Sequence, residues 1–197
     1  MSRNARLLPI ACGFYLPIFC IALLWGWLRE LWPQWWTLSN RAEILQASQA
    51  GILLGLLGVG LSWQLTRSVP AVRKLSDRIG MVLAGQSGRY AVALALLSSI
   101  AEEFLFRGCL QSELGLWPAT ILFALVHIGN ERLWLWWTAT AFVAGLAMGL
   151  LYEHSGGLLA PVLMHFVINA INIHILAGRG ARARAEKGPA AALLDPS

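Results

Sequence analysis

The stretch Leu7-Leu-Pro-Ile-Ala-Cys-Gly-Phe-Tyr-Leu-Pro-Ile-Phe-Cys-Ile-Ala-Leu-Leu-Trp-Gly-Trp-Leu28 contains no charged side chain. The hydrocarbon core of a bilayer is about 30 Å thick, and about 20 apolar residues cross it as a helix. This run is long enough. A signal peptide would be one short apolar run followed by a soluble domain. Here more of the same follows, at 44–65, 90–110, 119–128, 133–152 and 158–176. The first run therefore reads as a retained helix. The expected fold is all-α: a polytopic transmembrane helix bundle of about six spans, the fourth of them short.

Composition agrees. Of 197 residues, 57% are hydrophobic and 13% charged, against roughly a quarter charged in soluble domains. Mean hydropathy is +0.62. A water-soluble domain is excluded, and so is a disordered chain, because there is ample apolar surface to bury. Three cysteines in so long a chain do not make a disulfide scaffold. One bundle over 1–177, with a catalytic core at about 90–176, accounts for the length. The tail, 178–197, is Ala, Arg, Gly and Pro without apolar period and is expected to be disordered.

The net charge of +5 sits at the ends of the apolar runs. It points to the lipid bilayer as partner and not to nucleic acid. Arg3 and Arg6, the 67–89 segment (Arg67, Arg73, Lys74, Arg78) and the tail (Arg179, Arg182, Arg184, Lys187) fall on one side of a six-span bundle. The positive-inside rule makes that side cytoplasmic. The expectation is a multi-pass protein of a bacterial inner (cytoplasmic) membrane, both termini cytoplasmic. The 67–88 segment is expected to be a loop with a short amphipathic helix around 77–83. Tryptophans at 32–36 and at 134, 136 and 137 read as anchors at the lipid boundary. Glycines 51, 55, 58 and 60 would let a neighbouring helix approach closely.

Ionisable groups inside spans are costly and usually mark function. The third span carries Ser98-Ser-Ile-Ala-Glu102-Glu103-Phe-Leu-Phe-Arg107. Glu103 and Arg107 are four apart, share a face and can neutralise each other. Glu102 lies about 100° around the helix and has no partner in this segment. An unpaired carboxylate in such a place can accept a proton, as a general base must. The plainer alternative is that both acids tie helices together with Arg107. The fourth span carries His127, and the sixth carries His165 and Asn169, one turn apart on one face. At about 1.5 Å per residue, Glu102, His127, His165 and Asn169 fall within one layer of the membrane. Ser98 and Ser99 stand one turn before the two acids and are placed to donate to them. Cys109 reads as packing.

Three motifs, Glu102-Glu103-Phe-Leu-Phe-Arg107, Phe123-Ala-Leu-Val-His127 and His165-Phe-Val-Ile-Asn169, resemble those of the CPBP (CAAX protease and bacteriocin-processing, or ABI) family of intramembrane proteases, which includes the type II CAAX prenyl endopeptidase. The stretch Gly156-Gly-Leu-Leu-Ala-Pro-Val-Leu-Met164 is also similar to the family. The resemblance implies Glu102 as the base that activates water, His127 helping to hold it, His165 and Asn169 as oxyanion donors, and Glu103 and Arg107 as support. It implies no cofactor in a glutamate mechanism. The alternative is zinc held by Glu102, His127 and His165. The implied substrate is a membrane-associated protein or peptide, such as a C-terminal sorting tail, a lipidated C-terminus or a small secreted peptide.

Other classes are weighed against this. A non-catalytic membrane immunity or binding protein on the same scaffold would be marked by a lost catalytic residue, and none is lost. A transporter would show internal repeats. Rhomboid-like chemistry lacks a Gly-x-Ser-Gly stretch inside a span. Presenilin-like chemistry lacks intramembrane aspartates, since Asp77 and Asp195 are the only ones.

Overall fold

A computed structural model describes residues 7–192. It is a bundle of helices: α1 (Leu7–Leu28), α2 (Trp32–Trp35), α3 (Arg41–Ser68), α4 (Pro70–Leu83), α5 (Gly88–Glu103), a π-helical segment (Phe104–Gln111), α6 (Ser112–Leu114), α7 (Leu116–Leu125), a 3₁₀ turn (Arg132–Trp134), α8 (Leu135–Ser155) and α9 (Leu159–Ala192). Among the described residues the extended pairing is one antiparallel bridge, Trp36 with Gly157.

Among the described residues four helices are long and apolar enough to cross a membrane: Leu7–Leu28, Arg41–Ser68, Arg132–Ser155 and Leu159–Glu186. The other two expected spans differ in kind. Helix α5, the π segment and α6 run on without a break to Leu114, about 40 Å at 1.5 Å per residue. That run is long enough to cross, but it carries Glu102, Glu103 and Arg107. Helix α7 has only 10 residues, about 15 Å. Residues 126–131 complete its passage in irregular form. Leu116, at the start of α7, lies beside Gly149 near the far end of α8. Glu131 reaches Arg78 of α4 at the opposite end, 2.7 Å away.

Two ends of the bundle are thereby defined. At one, Thr37 N–H donates to Gly156 O (3.1 Å) and Leu158 N–H to Trp35 O (2.9 Å). Arg29 pairs there with Glu113 (2.6 Å). At the other lie α4 and the last turns of α9, where Arg179 pairs with Asp77 (2.7 Å).

Close packing comes from missing side chains. On α3, a Cβ on Gly51, Gly55 or Gly58 would run into Ala160 and Leu163, Met164 and Val167, or Ile168 of α9. Gly60 faces open space and takes no part in this seam. The contact fixes the part of α9 that carries His165.

Three local expectations are corrected. Helix α4 begins at Pro70, earlier than expected. Pro is pre-set for the first turn of a helix, and Val72, Leu75 and Leu83 bury a continuous stripe. The tail does not leave the bundle as a disordered segment at 178: α9 continues to Ala192, and 193–197 lie outside the described residues. Ala and Arg are strong helix formers, Gly180 packs onto Gly80 of α4, and Arg184 donates to Met81 O (2.8 Å). Trp35 is not a lipid anchor. It is 4% exposed, and its indole donates to Gly108 O (2.7 Å), while Trp32 and Trp36 remain exposed.

Candidate active site

The site is assembled from α5, the π segment, the turn that follows α7, and α9, with α1 and α8 closing it. Glu103 is fully buried. Its Oε1 accepts from Arg107 Nη1 (3.0 Å) and from His165 Nδ1 (2.6 Å). Arg107 is also buried. It donates through Nη2 to Gly145 O on α8 (2.8 Å) and lies over the Phe123 ring at 4.4 Å. A Cβ on Gly145 would press on Phe123 and Arg107, so the bare backbone there admits both. Burying charges is tolerable only when they are paired and hydrogen-bonded. Glu103, Arg107 and His165 meet that condition together.

The π-helical turns follow directly after the two acids. Wider turns of this kind are rare and cluster at functional sites. Here they place Arg107 inward and let Gly108 present its carbonyl to Trp35, which a side chain at 108 would displace.

Glu102 is set apart from that triad. Its Oε2 is buried and has no hydrogen-bond partner. It stands 3.9 Å from His127 Nε2, beyond hydrogen-bond reach. His127 Nδ1 is 2.6 Å from Phe123 O. A carbonyl only accepts, so Nδ1 carries a proton, and Nε2 is the ring nitrogen turned to Glu102. Phe123 links the halves, with ring centroids 4.7 Å from His127 and 6.2 Å from His165.

Asn169 Nδ2 donates to Ser98 Oγ at 2.9 Å, and Ser98 in turn donates to Ala95 O. Ser99 donates to Leu96 O. Neither serine donates to the acids, because a helical hydroxyl reaches the carbonyl of the preceding turn more readily. Cys109 is buried against Ala22 O, away from the acids.

The polar residues on the three helices are thus brought into one region, but as two groups. Glu102 faces His127. His165 faces Glu103, and Asn169 faces Ser98. The Tyr15 phenol on α1 lies near Glu102. Sequence reasoning missed Tyr15, and its only signal was a hydroxyl in an otherwise apolar span. A cavity of about 410 Å³ opens beside His127, lined by Val126, Asn130, Trp134 and Trp137 among others. Two of the tryptophans read as lipid anchors therefore wall the approach to His127.

Glu102, His127 and His165 are not gathered at one point as a three-ligand set. Among the described residues no three His, Cys, Asp or Glu side chains gather as a metal set. Both imidazoles turn Nδ1 to an acceptor, His165 to Glu103 and His127 to a carbonyl, which leaves Nε2 of each free, the orientation that a metal ligand and a water partner share.

Comparison with known proteins covers this same region. Residues 86–171 match the family model of the type II CAAX prenyl endopeptidase Rce1-like proteins. This segment is Rce1-like. All six site residues and the π turns fall inside it. Over 82 residues the chain is 40% identical to the uncharacterized protein YpbD of Bacillus subtilis (strain 168). That alignment covers 42% of this chain and 43% of YpbD, so the chain matches less than half the length of its curated relative. No solved structure matches the chain. The Rce1-like segment together with the apolar helices makes this an integral membrane protein.

Proposed function

We propose that the chain is an intramembrane endopeptidase in which Glu102 activates water. The observation that carries this reading is the orphaned Glu102 Oε2, 3.9 Å from His127 Nε2, which in the neutral imidazole of this mechanism presents a lone pair. Two acceptors held at that separation are the geometry a bridging water fills, donating one hydrogen to each. Glu102 takes a proton as the water oxygen bonds to the scissile carbonyl carbon. The carbonyl oxygen becomes an oxyanion. Glu102 then returns the proton to the amide nitrogen as the C–N bond breaks, leaving an acid and an amine.

His165 and Asn169 are the oxyanion donors in this reading. Asn169 keeps a second amide hydrogen beyond the one given to Ser98. His165 has Nδ1–H on Glu103, so it donates through Nε2 only as imidazolium. Glu103 is the counter-charge for that form, and Arg107 holds Glu103 in place. Donors set in advance toward developing charge are usually the largest catalytic contribution. The CAAX-type activity of the Rce1-like family supports peptide hydrolysis. The substrate is a membrane-associated protein or peptide, a C-terminal sorting tail or a lipidated C-terminus, approaching through the cavity beside His127. The chain sits in a bacterial inner membrane with the α4 end cytoplasmic, following its positive charge.

The test is cleavage of candidate tail peptides by purified protein in vesicles. Glu102→Gln and His127→Ala are expected to insert normally and to lose cleavage by at least about 100-fold. Cleavage at the wild-type rate by Glu102→Gln ends the glutamate assignment. Chelator is expected to leave the wild-type rate unchanged, and loss of activity restored by zinc overturns the water mechanism without metal.

A further inference from the structure

We propose that the α4–α9 end of the bundle holds the headgroup of an anionic phospholipid. A cavity of about 270 Å³ lies there, lined by His174, Ile175, Gly178, Arg179 and Arg182. Measured along α9 from Leu159, His174 is about 23 Å and Arg182 about 35 Å away at 1.5 Å per residue. The pair brackets the edge of a hydrocarbon core about 30 Å thick. A phosphate ester sits at that depth.

The charge fits. Asp77 and Glu131, two of the acids at this end, are already engaged by Arg179 and Arg78. Among the described residues Arg182 and His174 make no ion pair or hydrogen bond. Glu186, one turn beyond Arg182, forms no ion pair with it. Arg73 and Lys74 are exposed on α4 beside this end, and Arg67 lies over the Trp63 ring at 4.6 Å. The cavity therefore carries excess positive charge, while Ile175, 40% exposed, offers an apolar wall to the acyl chain below. A free phosphate would use the cations and leave that wall idle. A phospholipid uses both.

The inference is independent of the protease reading, because its readout is lipid retention. The full chain in detergent is offered phosphatidylglycerol or phosphatidylcholine, and bound lipid is counted by native mass spectrometry. Phosphatidylglycerol is expected to be retained in preference. Arg182→Gln should lower its retention about fivefold, the effect of one surface cation. Arg182→Lys should restore it, and Arg29→Gln at the opposite end should leave it unchanged. His174→Gln gives a second reading if Arg182→Gln does not fold. Equal retention of the two lipids overturns the proposal, as does an equal loss in Arg29→Gln. Displacement of the lipid by millimolar inorganic phosphate assigns the cavity to free phosphate and overturns the lipid commitment.

Discussion

Removing Arg107 should be among the most damaging single changes in this protein. Arg107→Met keeps the side-chain length and apolar bulk but deletes the cation. Glu103 then loses the 3.0 Å donor on Oε1, while its Oε2 already has none. Gly145 O loses a charged donor, and Phe123 loses the guanidinium over its ring. Breaking a buried pair by deleting one partner costs about 3–5 kcal/mol, because the other charge is left uncompensated. We expect roughly 4 kcal/mol for Arg107→Met, close to 1,000-fold in the folded fraction. The double change Glu103→Leu with Arg107→Met removes both charges. It should cost at least about 2 kcal/mol less than the sum of the single changes. Unfolding in mixed detergent micelles, followed by tryptophan fluorescence, measures each corner of the cycle. A cost below about 1 kcal/mol for Arg107→Met, or simple additivity in the cycle, would refute the claim that this triad is dry and mutually dependent. The double variant should also be folded and inactive, since His165 loses its counter-charge.

Other expectations follow from single contacts. Asn169→Ala should lower kcat about 100- to 1,000-fold with little change in KM, whereas Ser98→Ala, which only orients Asn169, should cost much less. Steady-state kinetics on one cleaved peptide separates the two. Gly55→Leu puts a side chain where Val167 and Met164 O already lie, so it should push α9 away from α3 and reduce both melting temperature and activity. Gly60→Leu, facing open space, should change neither. At the Arg29 end, the hydrogen bond from Arg29 to Glu113 holds that carboxyl below its ordinary value. A carboxyl so shifted stabilises the fold fully above its unfolded value, about 4.3, and the contribution fades as pH falls through the lower folded value. Trp25, whose indole also donates to Glu113 (3.3 Å), should report that step by fluorescence, and Glu113→Gln should abolish it.

Much of this was legible one helix at a time. Apolar length marked the crossings, and the i, i+4 spacing of Glu103 and Arg107 announced their contact. What spacing cannot carry is the partner across helices. His165 and Asn169 share a face, yet one meets Glu103 and the other Ser98, because α9 meets α5 at a position set by glycines on α3. The π turns were invisible, since apolar periodicity over eight residues does not distinguish a π turn from an α turn. Trp35 looked like its neighbours Trp32 and Trp36, and only the Gly108 carbonyl tells it apart. In the tail the lack of an apolar period hid the helix that runs on past Gly178. In the bundle Gly180 is the point where α9 touches α4.

The buried indole of Trp35 has one more implication. It is wedged between Gly26 of α1 and Gly108 of the π turns, like a keystone joining the N-terminal hairpin to the segment that bears the acids. Shortening the protein to its recognisable half would pull that stone out. The carbonyl at 108 would lose its donor, the widened turns would relax toward an ordinary helix, and Arg107 would swing with them. Residues 7–35 are therefore masonry of the acid-bearing segment, although no motif runs through them.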